Sequence, residues 1–282
     1  MATSNVRTIN LPSGEAIPVL GQGTWGMGED ARYRKDEVAT LRLGIDLGMT
    51  LIDTAEMYAN GAAESIVAEA LVGRRDNVFV VSKVLPSNAT RQRTIAACER
   101  SLRRLKMDRL DLYLLHWRGQ TPLAETIDAF ATLVHAGKIR YWGVSNFNVS
   151  DIEELVDIPG GAAVTTDQVL YNLTRRGIEY GLLPRCRERR LPIMAYSPIE
   201  QGRMLSHPEL QRVAAKHGVT AAQVALAWLL RQDGINVIPR ARTQAHVQEN
   251  RAALDLRLTE QDITTLDRAF PPPTGPRPLE ML

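Results

Sequence analysis

Cysteine is scarce: the chain of 282 residues holds two, Cys98 and Cys186. They stand far apart in segments of helical pattern, with neither the density of a disulfide framework nor metal-ligand spacing. They read as reduced thiols of a cytoplasmic protein. Long apolar runs are missing too. No stretch approaches the ~20 residues of a membrane-crossing helix, and the opening MATSNVRTIN lacks the apolar core of a secretory leader. Charge of one sign is not in excess. The 34 basic and 32 acidic residues leave a net +2 with no basic block, which argues against nucleic acid or an acidic membrane surface as partner. There is no internal linker and no low-complexity segment, so residues 1–282 are expected to form one domain. At 44% hydrophobic residues, a large core is available.

What is present is a cadence. Eight short apolar runs end at polar or glycine-flanked positions, near Trp25, Asp53, Lys83, His116, Ser145 with Asn146, Gln168, Tyr196 with Ser197, and Arg240. Stretches of helical period lie between them. A strand–helix unit repeated eight times predicts an α/β fold of the (β/α)8 TIM-barrel type, in which functional residues collect where strands end. The segments TLIDTA, VFVVSKV and LDLYLLHW are almost continuously apolar, as strands covered on both faces are. The piece 20–24 and the segments YWGVSN, TTDQVLYN, PIMAYSP and NVIPR complete the set. An N-terminal β-hairpin turning at Pro12, Ser13 and Gly14 precedes them. Helices are predicted over 36–47, with Asp36 as cap and Gly48 as stop, and over 64–71, 91–105, 123–135, 243–254 and 259–270. The last opens on a capping box from Thr259 to Asp262. The proline-rich PPPTGPRPLEML predicts an extended C-terminal tail.

The run Gly21-Gln22-Gly23-Thr24-Trp25-Gly26 matches the dinucleotide fingerprint letter for letter. That fingerprint needs a firm strand before it and a helix after it. Here the preceding run is short and contains Pro18, and residues 27–32 read as loop. The glycines are taken instead to permit a tight strand-to-loop bend.

Lys83 closes a buried run, where an ammonium is costly unless paired. Asp53, ending the preceding strand, is the natural partner. His116 ends a third strand and Tyr58 lies on the loop leaving the Asp53 strand. Singly, each has an ordinary structural reading: an ion pair, a backbone-bonded imidazole, a packed ring. Together they make a proton donor for a carbonyl. A free phenol with a pKa near 10 is a poor acid. An adjacent ammonium lowers that pKa, a carboxylate holds the ammonium, and an imidazole N–H orients the carbonyl oxygen. No side chain donates hydride, so a nicotinamide or flavin must.

The segments IDTAEMY, VVSKV, LYLLHW, GVSNF, AYSP and VIPR, in this order, resemble the aldo-keto reductase superfamily over nearly the whole chain, and most of all its bacterial reductases of small aldehydes such as methylglyoxal. The resemblance implies a (β/α)8 barrel that binds NADPH in extended form and reduces small aldehydes or reactive ketones. It implies Tyr58 as general acid, Lys83 as its neighbour, Asp53 as the partner of Lys83, and His116 as the substrate-orienting residue. It places Ser145, Asn146 and Gln168 on the nicotinamide carboxamide, Tyr196 against the nicotinamide ring, and Ser197 and Gly202 on the loop over the pyrophosphate. Gly23, Thr24 and Trp25 also fall among its cofactor contacts. Beyond the last strand the family commonly has Ile-Pro-Lys-Ser and a later Arg, whereas this chain has Ile238-Pro239-Arg240-Ala241 and His246. Arg240, helped by Arg242 and His246, would meet a 2′-phosphate, so NADPH is expected to be preferred and NADH to bind more weakly. Glu249 and Asn250 would meet the adenine. Trp25, Tyr58, His116 and Trp117 would line the substrate pocket, with Met27 and the loop after Tyr171 beside them. A monomer acting on a small carbonyl compound suffices.

Two other functions are compatible with the same residues. One is a cofactor-binding redox-sensing module with little turnover. The other is a lyase or aldolase in which Lys83 forms a Schiff base.

Overall fold

The computed structural model describes residues 6–282; the first five, part of the polar opening expected to be no leader, lie outside the described residues. The chain enters through a hairpin, β1 (Thr8–Asn10) against β2 (Ala16–Pro18), whose turn places Gly14 at φ 88°. Eight parallel strands follow: β3 (Gln22–Gly23), β4 (Leu51–Asp53), β5 (Phe79–Val84), β6 (Leu110–Leu115), β7 (Ile139–Ser145), β8 (Asp167–Leu170), β9 (Ile193–Tyr196) and β10 (Ile235–Val237). They pair in chain order, and a parallel bridge from Leu20 to Val237 joins the first to the last. The result is a closed (β/α)8 barrel with an N-terminal hairpin and an extended C-terminal tail.

Alternation along the strands sorts the side chains. One apolar cluster fills the inside of the barrel: Leu51, Phe79, Val81, Leu112, Leu114, Met194 and Ile238, with Leu11 and Ile17 of the hairpin closing its floor. Adding two residues to these inward positions gives Asp53, Lys83, His116, Tyr196 and Arg240. The strand period alone therefore carries the polar set to the open end.

A larger cluster lies between the strands and the helices α1 (Arg34–Asp46), α2 (Ala62–Ala70), α3 (Arg91–Leu105), α4 (Leu123–His135), α5 (Val149–Asp157), α6 (Leu182–Glu188), α7 (Pro208–His217), α8 (Ala221–Leu230), α9 (Gln244–Ala252) and α10 (Glu260–Ala269). The predicted helices fall on α1–α4, α9 and α10, and the Thr259–Asp262 capping box is formed. The cap of α1 needs correction. The chain enters that helix through a 3-10 turn, Ala31–Tyr33, capped by Asp30, which leaves Asp36 inside the first helical turn. Both cysteines are free and buried.

The glycines of the apparent fingerprint stand where β3 is crowded by the chain on either side of it. A Cβ on Gly21 would meet the Leu51 carbonyl at 2.9 Å, and one on Gly23 the Ile238 carbonyl at 2.8 Å. Gly26 and Gly28 turn the following loop at φ 77° and 79°. Close backbone approach is what these positions require.

Candidate active site

Lys83 has no solvent exposure at all. Its ammonium donates to Asp53 Oδ2 at 2.8 Å, to the Thr54 carbonyl at 2.8 Å and to the Tyr58 hydroxyl at 3.1 Å. Those three acceptors use its three protons, which is the condition for burying such a charge. Burial works against the charge, but Asp53 and Tyr58 outweigh it and hold the ammonium above the ordinary lysine range. Thr54, whose side chain carries no part of this, escaped the sequence reading because a backbone acceptor leaves no residue-type signal.

Tyr58 heads a short 3-10 turn, Tyr58–Gly61, just beyond β4. Its ring meets the His116 ring edge-on at 5.8 Å, and Lys83 Nζ lies 4.7 Å from its centroid. Burial raises the phenol above its ordinary value, and the nearby Lys83 ammonium lowers it by less. The expectation that the ammonium leaves the phenol more acidic than usual is thereby corrected: the pull exists, but desolvation is larger. Burial, then the Lys83 charge, drives the His116 imidazole down to about 2, so the ring is neutral.

Asp53 links this group to a second one. Its Oδ1 accepts from Gln168 Nε2 at 2.8 Å. Ser145 Oγ donates to the Gln168 carbonyl at 2.8 Å, and Asn146 Nδ2 donates to Ser145 Oγ at 3.0 Å and to the His116 carbonyl at 3.1 Å. The Tyr196 hydroxyl donates to Asn146 Oδ1 at 2.9 Å. Thr24 Oγ1 donates to the Asp53 carbonyl at 3.0 Å, tying β3 into the same patch. The strand ends thus bring together Thr24, Asp53, Tyr58, Lys83, His116, Ser145, Asn146, Gln168 and Tyr196. Burial raises the Tyr196 phenol to about 12, opposed by the backbone of Leu282, which brings the end of the tail beside this ring.

After β9 the chain bends sharply. Ser197, Glu200, Gln201 and Gly202 all have positive φ. The bend is held by Glu200, which pairs with Arg175 at 3.0 Å and Arg203 at 2.8 Å and accepts from Asn172 at 2.9 Å. Arg175 also reaches Glu280 of the tail. Arg240 lies at the other rim, where it donates to the Gly26 carbonyl at 3.0 Å and sits 3.9 Å from Glu37. Arg242 and His246 are exposed beyond it, while Glu249 is half-buried and Asn250 buried on α9. Trp25 is 52% exposed at the rim and Trp117 packs on His116 at 4.9 Å. Met27, expected beside the pocket, is instead buried in the layer between strands and helices. It follows directly on the positive-φ turn at Gly26.

The sequence matches the aldo/keto reductase family over residues 19–270. The chain belongs to that family. A methylglyoxal reductase of Escherichia coli (strain K12) is 52% identical over 281 residues, 98% of this chain and 99% of the relative. A glyoxal reductase of Bacillus subtilis (strain 168) is 33% identical over 285 residues, covering all of both chains. Among solved structures, an aldo-keto reductase from Klebsiella pneumoniae in complex with NADPH superposes with a TM-score of 0.96 at 48% identity, covering 99% of this chain and 100% of that one. Such likeness over whole length places this aldo-keto reductase beside bacterial reductases of small dicarbonyl compounds.

Proposed function

We propose that this chain is an NADPH-dependent reductase of small aldehydes and reactive ketones of the methylglyoxal kind, with Tyr58 as proton donor. The observation that carries the assignment of the donor is the Lys83 ammonium, bonded at once to Asp53, the Thr54 carbonyl and the Tyr58 hydroxyl. The family and its methylglyoxal- and glyoxal-reducing relatives support the reaction and the substrate class.

The rim fits a nicotinamide dinucleotide. Ser197 Oγ and Arg240 Nε are buried with no partner among the described residues, on the two sides where the resemblance places cofactor phosphates. Bound NADPH supplies the hydride. Ser145, Asn146 and Gln168 would hold its carboxamide, Tyr196 its ring, Ser197 and Gly202 its pyrophosphate. Gly23, Thr24 and Trp25 lie on the near side. Arg240 with Arg242 and His246 would take the 2′-phosphate, and Glu249 and Asn250 the adenine.

The protein's own part in the reaction follows from the charges. Tyr58 is protonated at neutral pH and so is loaded to give a proton to an alkoxide as it forms. Lys83 stabilises the phenolate left behind, and Asp53 keeps Lys83 charged. Neutral His116 can donate an N–H to the carbonyl oxygen without competing as an acid. Trp25 and Trp117 wall the pocket. Lys83 is unsuited to Schiff-base chemistry, because an ammonium held above its ordinary range has no lone pair to attack with.

Tyr58→Phe tests the assignment. Expected is a loss of turnover of about 10²- to 10⁴-fold with methylglyoxal, with NADPH affinity kept. Turnover at the parent rate would remove Tyr58 as the acid.

A further inference from the structure

Tyr58 sits on an awkward piece of backbone. Ala59, Asn60 and Gly61 follow it with φ of 48°, 54° and 89°. An alanine in the left-handed region is strained, so such a turn persists only where its surroundings hold it. The hold comes from α3. Arg100 and Arg104, one helical turn apart on that helix, meet Glu56 and Glu64, the two acids that bracket Tyr58 in sequence. Glu56 accepts from the Leu85 N–H and Asn88 Nδ2, each at 2.9 Å, beyond the end of β5. Glu64 is wholly buried on α2. One of its oxygens accepts from Ser82 Oγ at 2.7 Å and the other from Arg104 Nε at 2.5 Å. Ser82 is the residue before Lys83. The Arg104 side chain lies where a Cβ on Gly61 would have to go, against the end of the Tyr58 turn.

We propose that Glu64 and Arg104 are positioning residues for the reduction: the Glu64 carboxylate joins the strand of Lys83 to the arginine that backs the Tyr58 turn, and so sets the distance between the Tyr58 hydroxyl and the Lys83 ammonium. Neither residue touches the reacting atoms. A buried carboxylate is a costly way to pack a helix otherwise rich in alanine, since an apolar residue of like size serves stability as well or better. Its two bonds lead instead to the residue before Lys83 and to the arginine lying against Gly61, at the end of the Tyr58 turn. The proposal rests on Tyr58 being the donor.

The test is Glu64→Gln. The amide can still accept from Ser82, but its NH₂ then faces the Arg104 N–H. A misplacement of about an ångström at a reacting group costs up to 10²-fold in rate. Expected are a kcat with methylglyoxal lowered about 10- to 100-fold, a displaced high-pH limb of the kcat profile, and an NADPH dissociation constant, measured by fluorescence titration, unchanged within about threefold. Arg104→Ala is expected to behave alike, and Arg104→Lys to recover most of the loss. Should Glu64→Gln fail to fold, Arg104→Ala and Arg104→Lys decide between the outcomes. Parent-like kcat in folded Glu64→Gln or in Arg104→Ala overturns the proposal. So does a fall in kcat matched by an equal loss of NADPH affinity, which is general loosening. Tyr58→Phe run alongside separates the two claims: if it is inactive while Glu64→Gln is fully active, the positioning role fails and the donor stands, whereas an active Tyr58→Phe sinks the donor itself.

Discussion

At Tyr58 two effects oppose one another, and their balance decides how the site responds to pH. Burial pushes the phenol up, and the Lys83 ammonium 3.1 Å away pulls it down by less. Reduction consumes the proton of Tyr58, so the active form is the protonated one, present below the pKa. With that pKa above its ordinary value of about 10, reductive kcat should stay level from about pH 6 to 9 and fall only in more alkaline solution. His116 adds no limb near pH 6.5, because its imidazole is driven to about 2 and remains neutral throughout. A kcat profile with a midpoint near 6.5 that vanished in a His116 variant would contradict this. The four residues Asp53, Tyr58, Lys83 and His116 were legible in the sequence because each stands at or just beyond a strand end. The direction of the phenol's shift was not, since desolvation depends on how the loops fold over the site. The Arg240 guanidinium makes the same point. Its charge is plain from sequence, but its seat against the Gly26 carbonyl and near Glu37 arises from the return of β10 beside β3.

Among the elements, what was readable depended on how one-sided each was. Strands β5 and β6 stand out as continuous apolar runs, and α3 presents Cys98, Leu102 and Leu105 to the core at steps of three and four. By contrast α5–α8 were not delimited from the sequence. Helix α8 is apolar on almost every side, burying Val224, Leu226, Trp228, Leu229 and Leu230, so it shows no helical stripe to read. Helix α10 was legible because its cap is written in residue types. Its Asp262 does more than the capping box requires: it also accepts from Lys216 at 2.7 Å and pairs with His217 at 2.8 Å, fastening α10 to α7. Burial works against that charge, but Lys216, His217 and Thr259 outweigh it and hold the carboxyl well below the usual range. A folded-state pKa below the unfolded one means the carboxylate stabilises the fold above the unfolded pKa of about 3.9 and ceases to as the pH falls through the folded value. Asp262→Ala should therefore cost about 1–3 kcal/mol at pH 7, by urea unfolding, with a smaller difference from the parent below pH 3. A difference independent of pH would show that the loss is one of packing.

For the molecule as a whole, the decisive feature is that the first strand finds the last. The N–H of Gly21 donates to the Val237 carbonyl at 2.8 Å, that of Val237 to Val19 at 2.8 Å, and that of Gly23 to Pro239 at 3.0 Å. More than two hundred residues separate the partners, so this seam joins the ends of the barrel and carries the longest-range pairing in it. It also sets the spacing between the β3 loop, with Thr24 and Trp25, and the β10 loop, with Arg240, across which the cofactor is proposed to lie. Of the glycines that imitate a dinucleotide fingerprint, Gly21 and Gly23 are thus explained by close approach to neighbouring backbone, and Gly26 by its turn at φ 77°. Gly23 has no room for a side chain, because a Cβ would stand 2.8 Å from the Ile238 carbonyl, a backbone atom that cannot swing aside. Gly23→Ala should accordingly force the two strands apart. Overpacking of this kind costs about 1–3 kcal/mol, seen as a lower urea midpoint, and the widened rim should weaken NADPH binding as well. Gly14→Ala is the control. Its φ of 88° makes it a strained substitution too, but nothing lies within 4 Å of the added carbon and the hairpin turn is remote from the rim. It should lower stability while leaving NADPH affinity untouched. If both variants lose stability and neither loses affinity, the seam does not govern the rim, and the cofactor groove owes its width to the loops alone.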